Sequence, residues 1–188
     1  MSEILCKEKL SVIIENHPFH ESLNKKIIKE IEEKDLIWQE SSLNRDGGIS
    51  NVRALTTRSV ENSHNQGYRI SSSSIELVYE WILNLLRSKT EGWKILVDNS
   101  WIARYREKEF AVSHNHYPCS YSFVYFVKCP KGSSPLIFPT SGKKIKAEEG
   151  KVVIFPGNLW HSVPQNKCQD RIVLAGNVLS LTEDYGKL

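Results

Sequence analysis

Two kinds of apolar spacing divide this chain. In "FHESLNKKIIKEIEEKD", residues 19–35, Leu23, Ile27, Ile28 and Ile31 recur at three- and four-residue intervals, which puts them on one face of a helix. "SSSSIELVYEWILNLLRSK", residues 71–89, carries the same signal more strongly through Val78, Trp81, Ile82, Leu85 and Leu86. Ser73 and Glu76 stand at capping-box spacing ahead of that stripe. Before the helices, "EKLSVIIENHP" concentrates β-branched residues and ends in a turn, which predicts a first strand.

From residue 93 the period shortens. "WKILVDNSWIARYRE", "SYSFVYFVK", "SPLIFP", "KKIKAE", "GKVVIFP", "HSVPQ" and "RIVLAGNVLSL" are short strand candidates separated by Pro, Gly, Asn and Lys clusters. Strands at this spacing after two helices predict a mainly β domain, a small sandwich or barrel with the N-terminal helices packed outside it. The expected organisation is one domain over residues 1–188. Residues 1–92 supply a strand, two helices and a long loop, and residues 93–182 the β core. The loop is "QESSLNRDGGISNVRALTTRSVENSHNQGYR", polar and nearly aperiodic, with Gly47, Gly48 and Gly67. A loop of this length is usually functional or disordered, and residues 40–70 are expected to be mobile or to cover a site opening.

Composition adds little to this picture. The apolar share of 40%, the charged share of 25% and a net charge of +3 suit an ordinary soluble domain with no specific nucleic-acid signal. The densest basic stretch, "GKKIKAEEGK", reads as a solvated hairpin. No segment has the roughly 20 apolar residues of a membrane span, and "MSEILCKEKL" lacks the apolar stretch of a signal peptide. Cys6, Cys119, Cys129 and Cys168 form no CxxC pair, so reduced thiols and a cytoplasmic location are expected. A homodimer is left open.

The chemistry lies in "SHNHYPCSYSFVYF". His114 and His116 share one side of the chain if it is extended there, because the strand period is two. Such a pair can chelate one metal ion. A third histidine, His161, follows an apolar strand and a Pro-Gly-Asn turn in "GKVVIFPGNLWHSVPQ". On neighbouring antiparallel strands the three can meet at the mouth of a barrel, leaving open metal positions opposite them. Arg171 begins the strand "RIVLAGNVLSL". An arginine pointing into a barrel is sensible only with an anion, and a planar guanidinium suits a carboxylate.

An HxH or HxD pair, a strand, G-x-hydrophobic-x-x-F-P, W-H-x-V and an arginine ten residues on together resemble the non-heme iron(II), 2-oxoglutarate-dependent oxygenases. The 2OG-Fe(II) oxygenase group of bacteria and phages is the nearest in pattern. Here the pattern stands as "HNHYPCSYSFVYFV", "GKVVIFPGNLWHSVPQ" and "DRIVLAGN", over roughly residues 95–180. Tyr117 separates the pair from the proline that directly follows it in the family. The resemblance implies a double-stranded β-helix (jelly roll, cupin-like), with Fe(II), 2-oxoglutarate and O2 used to hydroxylate a small-molecule or protein substrate. It implies His114, His116 and His161 as metal ligands, His116 standing where most of the superfamily has a carboxylate. It further implies Arg171 at the distal carboxylate of 2-oxoglutarate, with Tyr105, Tyr125 and Asn177 near the cosubstrate. Two other readings stay open: a cupin-like three-histidine dioxygenase or zinc enzyme without 2-oxoglutarate, and a non-catalytic β-sandwich binding module.

Overall fold

A computed structural model describes residues 10–34, 36, 38–41, 52–57, 68–90 and 93–182. Its elements in chain order are β1 (Ile13–Asn16), α1 (His20–Glu33), β2 (Gln39–Ser41), β3 (Val52–Thr56), α2 (Ser73–Arg87), β4 (Trp93–Tyr105), β5 (Phe110–His114), β6 (Tyr121–Lys128), β7 (Leu136–Phe138), β8 (Lys143–Ile145), β9 (Lys151–Pro156), β10 (His161–Val163) and β11 (Arg171–Thr182). The protein is mainly β. Its strands are antiparallel, in the order β1-β9-β6-β11-β4-β3-β5-β10-β7-β8, with β2 on β3. This curled arrangement is consistent with a jelly-roll core.

The long strands separate two cores, because successive side chains leave opposite faces. On β11, Ile172, Leu174 and Val178 pack with Leu23, Ile27 and Ile31 of α1 and Ile75, Val78, Ile82 and Leu86 of α2. Val173 and Ala175, one residue out of phase, pack with Trp101, Ala103, Tyr105, Phe126 and Phe155 on the other side. That second core is the concave interior, where the histidines lie.

Three expectations need correction. The capping box is displaced by one residue. Ser72 is the N-cap and accepts from the Ile75 amide, while Glu76 is drawn away by Arg69 and Ser71. Glu30 of α1 takes over at this helix end, accepting from Ser72, Ser74 Oγ and the Ser74 amide. The stretch read as one long loop contains β2 and β3; β3 is ordered by pairing with β4 and β5, a tertiary partnership that local periodicity does not carry. The rest of the expected cover, 42–51 and 58–67, lies outside the described residues. Finally, Phe110–His114 is a strand in its own right.

Cys129 and Cys168 are free thiols. Among the described residues no helix is long and apolar enough to cross a membrane.

Candidate metal centre

The pairing of β5 with β10 builds the centre. Its register sets His161 directly opposite His114, and their ring centroids are 4.3 Å apart. His116 follows the end of β5 and brings its ring to 5.0 Å from His114 and 5.1 Å from His161. One nitrogen from each ring lies within 4.8 Å of the others, a grouping that could hold one metal ion.

Backbone carbonyls select the ligand atoms. His114 Nδ1 donates to Val112 O at 2.7 Å and His161 Nδ1 to Leu159 O at 3.0 Å. A carbonyl can only accept, so these bonds fix the proton on Nδ1 and leave Nε2 with the lone pair a metal needs. Burial also keeps the rings neutral. It lowers the His114 pKa against the pull of the Val112 carbonyl. It takes His161, 4% exposed, down to about 4, with the neighbouring His114 adding to the effect.

His116 depends on the turn after β9. Its amide donates to Gly157 O at 2.7 Å, and the Gly157 amide donates to Ser120 O at 3.1 Å. The two loops lie so close that a Cβ on Gly157 would fall 2.0 Å from Cys119 O. Glycine at 157 is thus a condition for the placement of His116, by close backbone approach rather than by backbone angle.

The three rings line a cavity that is partly open to solvent. Val163, Val173, Leu136, Phe155 and Trp101 make much of its wall apolar. Arg171 lines it too, fully buried. Its Nε donates to Ser134 O at 3.1 Å, and its charge lies over Tyr105 (4.7 Å to the ring centroid) and Phe126 (5.3 Å). Both terminal nitrogens are buried without a hydrogen-bond partner. Burial depresses the guanidinium pKa, with the neighbouring Tyr105 hydroxyl pulling the other way. Asp170, next to Arg171 in sequence, is engaged with Arg104 and Lys128, and the buried Glu109 with Arg106.

The structure therefore brings together His114, His116, His161, Arg171 and Tyr105. Tyr105 is paired with Arg171 across β4 and β11, and burial raises its phenol pKa. Tyr125 and Asn177, expected beside the cosubstrate, do not line the cavity. Tyr125 leaves the opposite face of β6 from Val124; its hydroxyl donates to Asn24 Oδ1 of α1 at 2.7 Å. Asn177 donates to Asn99 Oδ1 and accepts from Ser122 Oγ, each at 2.8 Å. Sequence reasoning missed Trp101, whose ring is 5.8 Å from that of His116, and Phe155, 4.7 Å from His161. The signal for Trp101 was available, since it shares the strand parity of Tyr105.

No family model matches the chain, and no curated protein matches it. Solved structures do. The viral collagen prolyl hydroxylase of Paramecium Bursaria Chlorella virus-1, in complex with 2OG, superposes with a TM-score of 0.68 at 15% identity, over 91% of this chain and 96% of that one. The prolyl-4-hydroxylase of Pseudomonas putida gives 0.64 at 13% identity, over 89% and 91%. HygX of Streptomyces hygroscopicus, bound to nickel, 2-oxoglutarate and hygromycin B, gives 0.59 at 10%, over 90% and 82%. At these identities the likeness is one of fold.

Proposed function

We propose that this protein is an iron(II)- and 2-oxoglutarate-dependent oxygenase. The observation that carries the reading is Arg171: a fully buried guanidinium with two unpartnered nitrogens, in the same cavity as three convergent imidazoles. A cation buried this way costs stability unless an anion joins it. The fold shared with 2-oxoglutarate-binding proteins points to the same cosubstrate.

Each part of the cavity has a role in that reading. His114, His116 and His161 hold the metal on one face, and the Val112 and Leu159 carbonyls orient two of the rings. Arg171 grips the far carboxylate of 2-oxoglutarate through the two nitrogens the protein leaves unpartnered, with Tyr105 against its flat face. The apolar wall of Val173, Val163, Leu136 and Phe155 excludes water and strengthens the ion pair. Iron, 2-oxoglutarate and O2 together supply the oxidant for hydroxylation of a C–H bond, with release of succinate and CO2.

The decisive experiment is anaerobic binding of Fe(II) and 2-oxoglutarate, followed by release of stoichiometric succinate on admitting oxygen. Metal binding without 2-oxoglutarate binding overturns the reading. His116, a neutral ligand in place of a carboxylate, favours one rival, a three-histidine dioxygenase or zinc enzyme. That rival leaves the unpartnered nitrogens of Arg171 without a purpose.

A further inference from the structure

We infer that Ser122 selects the prime substrate by accepting a hydrogen bond from an uncharged N–H or O–H group beside the carbon to be hydroxylated. The inference rests on the oxygenase reading and deepens it at the end of the cavity away from Arg171. Asn99 of β4, Asn177 of β11 and Ser122 of β6 stand side by side in the paired register, Asn177 opposite both of the others. Asn177 follows Arg171 by six residues on β11 (177 less 171). That is about 20 Å along an extended strand, further than a 2-oxoglutarate held at Arg171 reaches. Ser122 is 1% exposed and lines the cavity that holds the three imidazoles. It is paired with Phe155 of β9, whose ring lies 4.7 Å from that of His161.

A chain of hydrogen bonds decides which way that hydroxyl turns. Asp98 has no partner of its own on β11, because the register steps there from Asn99–Asn177 to Val97–Val178. At this bulge the Asp98 carboxylate accepts from Asn99 Nδ2 at 2.7 Å. A carboxylate only accepts, so the nitrogen of the Asn99 amide faces it and Asn99 Oδ1 faces Asn177. Asn99 Oδ1 accepts from Asn177 Nδ2, which turns Asn177 Oδ1 to Ser122, and the Ser122 hydroxyl donates to it. The one proton of Ser122 is thus committed, and its remaining capacity is to accept. Among the described residues no group donates to it. The cavity wall on these strands is otherwise apolar, with Trp101, Val124, Phe155 and Ala175. An uncharged donor on a carbon frame fits such a wall. An ammonium group would lose more hydration than one neutral hydroxyl returns.

The test uses the full chain loaded with cobalt(II) and 2-oxoglutarate. The paramagnetic ion broadens the proton resonances of small molecules bound close to it, and a zinc-loaded sample is the blank. Two pairs of probes are alike in shape and differ in the donor: N-methylacetamide against N,N-dimethylacetamide, and 2-propanol against acetone. In at least one pair the donor should bind about 3- to 10-fold more tightly than its donor-free partner. Preference in the amide pair alone identifies an amide N–H as the substrate group, in the alcohol pair alone a hydroxyl, and in both a donor of either kind. Ser122→Ala should abolish the preference, and so should Ser122→Cys, which keeps the shape but accepts poorly. Asp98→Asn lets the chain reverse, because an amide donates as well as accepts, and should reduce the preference. A residue that only supported the fold would instead weaken both members of a pair alike. Equal binding within both pairs, no binding by any probe, or a preference that survives in the Ser122 variants overturns the inference. An unchanged preference in Asp98→Asn overturns the positioning role of Asp98. Failure of 2-oxoglutarate to bind is a separate result: it removes the oxygenase reading, while the same probes on the cobalt-loaded chain alone still decide for or against Ser122.

Discussion

His161 faces His114 across the β5–β10 pair, and each ring donates Nδ1–H to the carbonyl two residues before it. The two strands therefore present matched imidazoles whose Nε2 atoms are available together. Replacing either with alanine should lower metal affinity by more than about 100-fold, beyond what loss of an orienting partner alone produces. Anaerobic calorimetry with Fe(II) or cobalt(II) measures this. Retained affinity in His161→Ala would remove that residue from the centre.

The metal-free protein should lose stability as pH falls from about 6.5 to 4. An unfolded histidine titrates near pH 6.5, while burial holds the folded His161 at about 4. Above both values each state is neutral and the stability is complete. Between them the unfolded chain binds a proton that the folded chain refuses, so unfolding becomes easier with each step down. His161 alone contributes up to roughly 3 kcal/mol across that window. Urea unfolding at pH 7.5 and 4.5, compared with His161→Gln, checks it; an unchanged difference in the variant contradicts the assignment.

Arg171 should show a trade between fold and function. Arg171→Met removes an unpaired buried cation while keeping most of the side-chain volume. Folding stability of the metal-free protein should stay level or rise by about 1–4 kcal/mol. Binding of 2-oxoglutarate should weaken by about 2–5 kcal/mol, and Arg171→Lys should restore part of it, because a point charge replaces a planar fork. Denaturant melts and an argon titration of the metal-loaded proteins measure the two effects. A large stability loss in Arg171→Met would mean that the guanidinium serves the core.

Gly157→Ala should weaken metal binding without touching a ligand. Its new methyl group falls on Cys119 O, so the loop carrying His116 must move. The expected loss of metal affinity is about 10- to 100-fold, as for other changes that misplace a ligand. Metal affinity equal to wild type would show that the loops yield without moving His116.

Tyr125→Phe should cost about 1 kcal/mol of stability through the lost hydrogen bond to Asn24. Metal and 2-oxoglutarate affinities should be unchanged, because the hydroxyl faces the helices. A selective loss of 2-oxoglutarate binding would return Tyr125 to the site.

The sequence by itself determined the parts whose signal is local. The apolar stripes of α1 and α2 announce themselves at helical spacing, and the strands from β6 to β11 announce themselves by short apolar runs between breakers. Alternation along "RIVLAGNVLSL" already separates Arg171 and Val173 from Ile172 and Leu174. The three histidines and Arg171 were legible because their residue types carry chemistry that an apolar strand does not otherwise need.

Only the tertiary structure decided what depends on distant partners. β3 gains strand form from β4 and β5, so its own few residues give little warning. The helix cap moved to Ser72, where Glu30 from another helix reaches the same end. The family resemblance implied Tyr125 near the cosubstrate, but strand parity and the position of α1 turn it towards the helices. The neutral state of His161 comes from burial, and its position opposite His114 comes from a register between strands 47 residues apart in sequence, 161 less 114. A sequence lists which groups are available for chemistry; which of them share a cavity, and at what charge, is set by the strand pairing that closes it.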